Sequence, residues 1–131
     1  MYHTITVVGN LGRDPELRYS PDGKPVTNLS VATNRKWTNA DGTPGEETVW
    51  FRVACWGKLA EVCSEYLSKG RRVLIEGRLR PDPETGGPRV WTRQDGTAGA
   101  SYEIVARTVR FLDSNGGGNG DSSDDKEEMP F

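Results

Sequence analysis

The stretch Thr48-Val49-Trp50-Phe51-Arg52-Val53-Ala54-Cys55-Trp56 decides how the rest of this chain is interpreted. Its β-branched and aromatic residues predict a strand. Because successive side chains of a strand point to opposite faces, one face is uniformly apolar and the other is mixed. The apolar face, which suits a hydrophobic core, carries Val49, Phe51, Val53 and Cys55. The mixed face sets two indoles around one guanidinium and carries Trp50, Arg52, Ala54 and Trp56.

The mixed face has two interpretations. An indole offers a stacking surface to an unpaired nucleic-acid base, and an arginine between two indoles can contact phosphate or add a cation–π interaction. Alternatively, both tryptophans are buried under a second sheet or a second subunit, since tryptophan is commonly buried. The strand by itself leaves both interpretations open.

Size and composition limit the classes of protein that the chain can be. Its 131 residues suffice for one domain with a single core. No apolar run is long enough to cross a bilayer, and the first residues lack the basic-then-apolar pattern of a signal peptide. Cys55 and Cys63 suit a reduced pair in the core better than a disulfide framework. We therefore expect a cytoplasmic protein that does not contact membranes.

The charge is distributed unevenly along the chain. Residues 113–131 hold six acidic residues and one lysine, a net charge of −5, whereas residues 1–112 hold 16 basic and 13 acidic residues, a net charge of +3. The overall net charge of −2 therefore combines a mildly basic body with an acidic tail. A basic body is compatible with a polyanionic partner.

Four more strands and one helix are predicted around the opening stretch. The strands cover residues 3–8, 26–37, 71–80 and 101–112, and the helix is indicated by apolar residues at helical spacing between Leu59 and Leu67, with Gly70 as its C-cap. Residues 39–45 and 81–88 are rich in turn formers and are predicted as loops, and residues 89–93 as an exposed arm.

This order of elements predicts a fold. Three strands, a helix and two strands are the arrangement of an all-β, five-stranded Greek-key barrel of the oligonucleotide/oligosaccharide-binding (OB) type, with its helix between the third and fourth strands. Such barrels bind ligands on one face of the central strands and in the loops. The prediction places residues 1–112 in this domain and favours the stacking interpretation of the tryptophans.

The C-terminal residues cannot contribute to a core. Residues 113–123 have the Gly, Ser and Asn composition of a flexible linker. Residues 124–131 read Asp-Asp-Lys-Glu-Glu-Met-Pro-Phe, so that apolar residues return beside the acidic ones. The segment has two interpretations, a disordered acidic tail that aids solubility or a peptide that docks on a partner protein.

Four blocks of the sequence resemble the bacterial single-stranded DNA-binding protein (SSB) family. They are Val-Gly-Asn-Leu-Gly-Arg-Asp-Pro-Glu-Leu-Arg-Tyr at 8–19, Trp-Phe-Arg-Val-Ala-Cys-Trp-Gly-Lys-Leu-Ala-Glu at 50–61, Tyr-Leu-Ser-Lys-Gly at 66–70 and Ile-Glu-Gly-Arg-Leu-Arg at 75–80. They lie in the family order and span nearly all of residues 1–112, and the acidic end with Pro130-Phe131 is a separate match. The resemblance implies the OB barrel, a homotetramer in which the first strand helps to pair two subunits, and association with the nucleoid.

The resemblance also implies a set of DNA-binding residues. The family's base-stacking positions fall on Trp37, Trp50, Trp56 and Trp91, and its basic backbone-contact positions fall on Arg18, Arg52, Lys58, Lys69 and Arg80. Placement beside the indoles adds five further candidates, which are Arg35, Lys36, Arg72, Arg89 and Arg93. In the tail, the resemblance implies a tip that recruits replication, recombination and repair proteins and that uses Asp124, Asp125, Met129, Pro130 and Phe131.

The sequence departs from the family pattern at three places. Phe51 stands where some members have a histidine at a subunit contact, so the resemblance does not define that contact. Residues 81–88 resemble an insertion ahead of Trp91, and Lys126 interrupts the acidic tip, which follows a short linker.

Two rival classes of function are weighed against DNA binding. Catalysis is disfavoured because His3 is the only histidine and has no carboxylate at a suitable spacing. A zinc site built from His3 and two distant cysteines has too few ligands, so we expect neither a metal nor a cofactor. The second rival is an OB-fold assembly factor of replication restart, which needs neither four indoles nor an acidic tip. The predicted function is sequence-independent binding and protection of single-stranded DNA, with partner recruitment through the tip.

Overall fold

The computed structural model describes residues 1–112. They form seven strands and one helix, in the order β1 (Ile5–Leu11), β2 (Glu16–Tyr19), β3 (Pro25–Thr38), β4 (Pro44–Trp56), α1 (Lys58–Tyr66), β5 (Arg72–Leu79), β6 (Arg89–Thr92) and β7 (Ala98–Phe111). The predicted disordered tail, linker and docking tip, residues 113–131, lie outside the described residues.

Five of the strands close into a barrel. The strands pair in the order β1-β5-β7-β4-β3, and β3 returns to β1 through Asn10–Ala32 and Leu11–Val31. The β4–β7 pair is parallel and the other pairs are antiparallel. Since α1 lies between the third and fourth barrel strands, the predicted five-stranded OB barrel and the place of its helix are confirmed.

The barrel interior is filled by apolar side chains from every barrel strand, from the helix and from its C-cap. The core comprises Val7, Leu11, Leu29, Val31, Val53, Cys55, Cys63, Leu67, Val73, Ile75 and Ile104. The one buried polar residue of the described chain, Thr27, donates its hydroxyl hydrogen to the carbonyl oxygen of Ala60 at 2.7 Å. This bond ties β3 to the first turn of the helix without leaving a polar group unsatisfied.

The two cysteines are free thiols within this core, as the sequence predicts. Cys55 on β4 and Cys63 on α1 are both inaccessible to solvent. A hydrogen bond with Cys63 and burial raise the pKa of the Cys55 thiol. A buried thiol with a raised pKa stays protonated, so Cys55 serves packing and is a poor nucleophile.

Several element boundaries differ from those predicted. β1 does not stop at Gly9 but continues to Leu11. Gly9 lies where β1 crosses β3, and only a glycine fits there, since a Cβ would lie 2.3 Å from the carbonyl oxygen of Ala32. Residues 16–19 and 89–92 are strands β2 and β6, each paired to the end of a long barrel strand. The predicted loop 39–45 contains only a tight turn, since β4 begins at Pro44.

The helix also ends earlier than predicted. Its C-cap is Leu67, whose N–H donates to the carbonyl oxygen of Cys63 at 3.1 Å. Gly70 lies three residues further on, with a φ of 92°, and its N–H donates to the carbonyl oxygen of Leu11 at 2.9 Å. The glycine therefore directs the chain from the helix towards β5 instead of capping the helix.

Gly77 provides a test of the barrel geometry. It lies at the β5–β7 bulge, and a Cβ there would be 2.1 Å from the carbonyl oxygen of Val105. We expect Gly77→Ala to lower the free energy of unfolding by roughly 3 kcal/mol, measured by urea denaturation, because the backbone must shift.

Gly87→Ala is the control, since its Cβ would meet only Thr85 Oγ1 at 3.6 Å, and we expect its free energy of unfolding to change by less than about 0.5 kcal/mol. Equal stability of the two variants would contradict the observed strand packing.

Candidate nucleic-acid interface

The mixed face of β4 lies on the outside of the barrel. Val53 and Cys55 point inward and have no exposed surface, whereas Trp50 and Trp56 are 51% and 43% exposed. Ala54, on the outer face, is nevertheless buried, between the ladder partners Asn28 and Val105. Within residues 1–112 the two tryptophans are therefore not core residues, and no second sheet of this chain covers them.

The β3–β4 hairpin carries a third indole beyond the barrel. Trp37 is 37% exposed, and its Nε1–H donates to Asn39 Oδ1 at 2.9 Å. The guanidinium carbon of Arg35 lies 5.2 Å from the centroid of the Trp37 ring, within cation–π range. Arg35 also pairs with Glu47 across the hairpin at 3.4 Å. The predicted association of Trp37 with Arg35 is thus present in the fold.

The β6–β7 hairpin carries the fourth indole. Trp91 is 42% exposed, on the strand that the sequence predicts as an exposed arm. In the turn that follows, Arg93 donates a hydrogen bond to the carbonyl oxygen of Ala98. The segment ahead of β6, which resembles an insertion, forms its own turn, in which the N–H of Gly86 donates to the carbonyl oxygen of Asp82 at 2.8 Å.

The two Trp-bearing hairpins repeat one another. Residues 37–45 and 91–99 both fit the pattern W-T-x-x-D-G-T-x-G. In each turn the aspartate, Asp41 or Asp95, accepts from the N–H of the threonine two residues later at 3.0 Å and from its hydroxyl at 2.7 Å. Hydrogen bonds from Thr43 and Thr97 hold the pKa values of these carboxyls below the usual aspartate value, so the ionised form fixes the turn.

In each repeat the final glycine supports the ring of the tryptophan at the first position. Trp37 pairs with Gly45 and Trp91 with Gly99 across the hairpins. A Cβ on Gly45 would lie 2.3 Å from Trp37 Cε2, and one on Gly99 would lie 2.8 Å from Trp91 Cε2. The rings therefore lie across bare backbone. Trp50 is supported in the same way by Gly12, where a Cβ would be 2.5 Å from its Cζ3.

Two neighbouring concavities connect the outer faces of β3, β4 and β7. One of ≈ 210 Å³ is lined by Arg13, Glu16, Asn28, Leu29, Ser30, Trp50, Phe51, Arg52 and Ser101. The other, of ≈ 300 Å³, is lined by Asn28, Arg52, Arg80, Arg89, Trp91 and Glu103. Because Asn28 and Arg52 line both, the concavities adjoin, and together they are called the groove below; Trp50 lines one part of it and Trp91 the other.

The predicted site residues divide into those that line this groove and those that do not. The structure brings together Trp50, Trp91, Arg52, Arg80 and Arg89 in the groove. Trp37, Arg35 and Lys36 lie out on the β3–β4 hairpin, and Arg93 in the β6–β7 turn. Trp56 pairs with Val26, which in turn pairs with Arg18 of β2, so Trp56 and Arg18 lie near each other at the other end of the face.

The remaining basic candidates lie further from the groove. Lys58 begins the helix, and Lys69 follows it, with its backbone N–H bonded to Asp14 at 2.8 Å. The Nε–H of Arg72 donates to Asn10 Oδ1 at 3.2 Å where β5 pairs with β1, and Arg72 lines neither concavity. Sequence reasoning missed Arg13, Asn28, Ser101, Glu103 and the supporting glycines; for two of the glycines the repeated hairpin pattern was the available signal.

The single histidine of the sequence has a structural contact. His3 Nε2 accepts a hydrogen bond from the N–H of Leu79 at 2.9 Å, so the histidine helps to hold the N-terminal residues against the end of β5. Among residues 1–112, no three His, Cys, Asp or Glu side chains gather as metal ligands. No helix within that range is both long and apolar enough to span a bilayer.

The fold and its exposed indoles define the class of this molecule as an OB-type barrel with an aromatic outer face. Comparison with known families agrees, because the Single-strand binding protein family matches residues 2–112. A curated relative, the single-stranded DNA-binding protein of Wolinella succinogenes, is 38% identical over 120 residues, which are 92% of this chain and 70% of the relative. The chain belongs to the single-strand binding protein family.

Two solved structures have a similar fold. One is the Plasmodium falciparum SSB in complex with ssDNA, with a TM-score of 0.69 and 25% identity over 86% of this chain and 97% of that chain. The other is the small single-stranded DNA-binding protein from Streptomyces coelicolor, with a TM-score of 0.68 and 26% identity over 84% of this chain and 94% of that chain. The likeness covers nearly the whole of both solved chains.

The two repeated hairpins test the glycine support against each other. We expect Gly45→Ala to displace the Trp37 ring and break its bond to Asn39, since the added Cβ would overlap the ring. In ¹H–¹⁵N spectra the Trp37 indole signal should shift and exchange faster with solvent while the Trp91 signal stays in place. Gly99→Ala should do the opposite, so each variant is the control for the other. If neither variant changed either indole signal, the tryptophan rings would not lie across these glycines, and their proposed support would be disproved.

Proposed function

We propose that this protein binds single-stranded DNA with little dependence on sequence and protects it during replication, recombination and repair. The observation that carries the proposal is the groove that Trp50 and Trp91 line together with Arg52, Arg80 and Arg89. Family membership and the solved single-stranded DNA complex of a relative support the same function.

The physical argument rests on what a single strand exposes. Each unpaired base has a flat face, and stacking on an aromatic side chain contributes roughly 1–3 kcal/mol per base regardless of base identity. In a duplex those faces are already stacked on one another, so the exposed indoles have little to bind. The arginines contact phosphates, which are the same at every nucleotide. This combination yields preference for single strands without strong preference for sequence.

We further propose that four copies assemble, as the resemblance implies. Along Ile5–Val8, β1 pairs with β5 alone among the described residues, so one edge of the strand is open to pair with a second copy. Exposed Tyr102, whose ring centroid lies 5.9 Å from that of Phe51, offers an aromatic surface for further contact. We place the assembly in the cytoplasm with the nucleoid DNA.

Recruitment of partner proteins is the remaining part of the proposal. We assign it to residues 124–131, because an acidic segment that ends in Met-Pro-Phe has the composition of a docking peptide. The net charge of +3 on residues 1–112 against −5 on residues 113–131 supports separate tasks for the two parts. No catalytic step enters this proposal.

A titration with labelled oligo-dT tests DNA binding. We expect tight binding of oligo-dT, weak binding of a duplex of equal length, and an affinity that falls with salt by a log–log slope of about −0.7 for each phosphate contacted. Trp50→Ala should weaken the oligo-dT complex by roughly 5- to 150-fold, the equivalent of one stacked base, with an unchanged urea midpoint. Fluorescence anisotropy of the labelled DNA measures the affinities, and urea denaturation of the free protein measures the midpoint.

The control is Tyr66→Ala, which removes an aromatic residue of similar exposure from the helix, outside the groove. We expect it to leave DNA affinity unchanged. Equal binding of duplex and single strand, or equal losses in Trp50→Ala and Tyr66→Ala, would refute the stacking face. If Trp50→Ala failed to fold, the indole of Trp50 would be required for stability and its role in DNA binding would be refuted.

Partner recruitment is tested with Phe131. The full chain and a Phe131→Ala variant are immobilised, exposed to the same cell extract, and the captured proteins are quantified by mass spectrometry. We expect the variant to lose replication and repair proteins, because the apolar end of the peptide is gone, and to keep its affinity for oligo-dT. If capture were unchanged, recruitment would belong to the barrel, as in the assembly-factor alternative.

A further inference from the structure

A carboxylate lies inside the basic groove. Glu103 is on the outer face of β7, and its ladder partner on β4 is Arg52. Its side chain is only 10% exposed, although it lines the ≈ 300 Å³ concavity together with the ring of Trp91. The groove thus holds one poorly solvated negative charge at the place where the stacking surface and the arginines meet.

The contacts of Glu103 leave part of its hydrogen-bonding capacity unused. Ser101 donates its hydroxyl hydrogen to one carboxylate oxygen at 3.0 Å, and a guanidinium nitrogen of Arg89 lies 3.8 Å from the other. An ionised carboxylate has about four acceptor sites. Beyond these two contacts, the side chain can accept further hydrogen bonds from a group that enters the concavity.

Phosphate is the wrong ligand for this carboxylate, because two negative charges repel each other. Arg52, Arg80 and Arg89 surround the same concavity and provide the positive charge that a phosphate requires. A base stacked on Trp91 would instead present its edge to Glu103. Since an ionised carboxylate accepts hydrogen bonds and donates none, it favours a base whose 4-position carries an amino group over one whose 4-position carries an oxygen.

We propose that Glu103 reads the exocyclic amino group of the base stacked on Trp91, and so favours cytosine over uracil or thymine at this one position. The proposal rests on the proposed binding of single-stranded DNA. Cytosine offers an N4 amino group where uracil and thymine offer an O4 acceptor, and a carboxylate is a recognised partner of the cytosine amino group. Glu103 thereby adds a modest base preference to an otherwise sequence-tolerant groove.

The other polar side chain in the concavity does not make this distinction. The amide of Asn28 has both a donor and an acceptor end, so it suits cytosine and uracil equally by rotating. A glutamine at position 103 would have the same freedom. Glu103→Gln therefore removes the preference while keeping nearly the same size and shape.

The experiment compares oligo-dC with oligo-dU of equal length at a mildly alkaline pH, where cytosine is unprotonated. The two bases differ at the 4-position, an amino group in cytosine and an oxygen in uracil, and at N3, which carries a hydrogen only in uracil; a preference for oligo-dC therefore reports contact with the 4-amino group, and a preference for oligo-dU would contradict it. We expect the full chain to prefer oligo-dC by about three- to tenfold, the contribution of one hydrogen bond. In Glu103→Gln the ratio of the oligo-dC affinity to the oligo-dU affinity should fall to near one, because an amide side chain suits both bases equally.

Glu16→Gln is the matched control. Glu16 lines the adjoining concavity, and its replacement removes the same negative charge from the same face of the barrel. Both variants should strengthen binding of both oligonucleotides through reduced repulsion of phosphate, but Glu16→Gln should keep the oligo-dC to oligo-dU ratio of the full chain. The ratio should also be independent of salt, since both DNAs release the same counterions.

A second measurement needs no variant of the protein. An oligonucleotide in which 2-pyrimidinone replaces cytosine lacks only the amino group, and the full chain should bind it less tightly than oligo-dC. Equal binding of these two DNAs, or an unchanged ratio in Glu103→Gln, would overturn the role of Glu103 while single-stranded DNA binding stood. Failure of the full chain to bind any of the oligonucleotides would overturn the proposed function itself.

Discussion

The register between β3 and β4 is the constraint on which the rest of the structure depends. The two strands pair continuously from Val26–Trp56 to Thr38–Pro44. Because side chains alternate between faces, a slip of one residue would turn the core residue Val53 outward and the indole of Trp50 inward. Hydrophobic burial on the inner face therefore fixes the exposure of the indoles on the outer face.

Exposed indoles require support if they are to present a flat ring to a ligand. Glycines provide it at three of the four tryptophans, because a residue without a Cβ lets the ring lie across its backbone. In the two hairpins that share the W-T-x-x-D-G-T-x-G pattern, an aspartate fixes the turn that brings the glycine opposite the tryptophan. Two of the exposed indoles thus lie on similar hairpins that are added to the barrel.

The groove holds side chains of both charges. Three arginines provide a positive surface that suits the repeated phosphates of a polyanion, whereas Glu103 lies among them and is held by Ser101. A groove for phosphate alone would gain nothing from such a residue. Its position beside Trp91 is consistent with separate contacts for backbone and base in one concavity.

The sequence by itself determined the fold class, the place of the helix and the two faces of β4, because these follow from hydrophobic periodicity and from local turn formers. It also determined which tryptophans and arginines to consider, through their placement and a family resemblance. Only the tertiary structure decided that Trp50 and Trp91 share one groove, that Arg72 lies apart with Asn10, and that Glu103 stands among the arginines. The reason is physical: these neighbours are distant in sequence and meet only through the parallel pairing of β4 with β7 and the closure of the barrel, which no local pattern encodes.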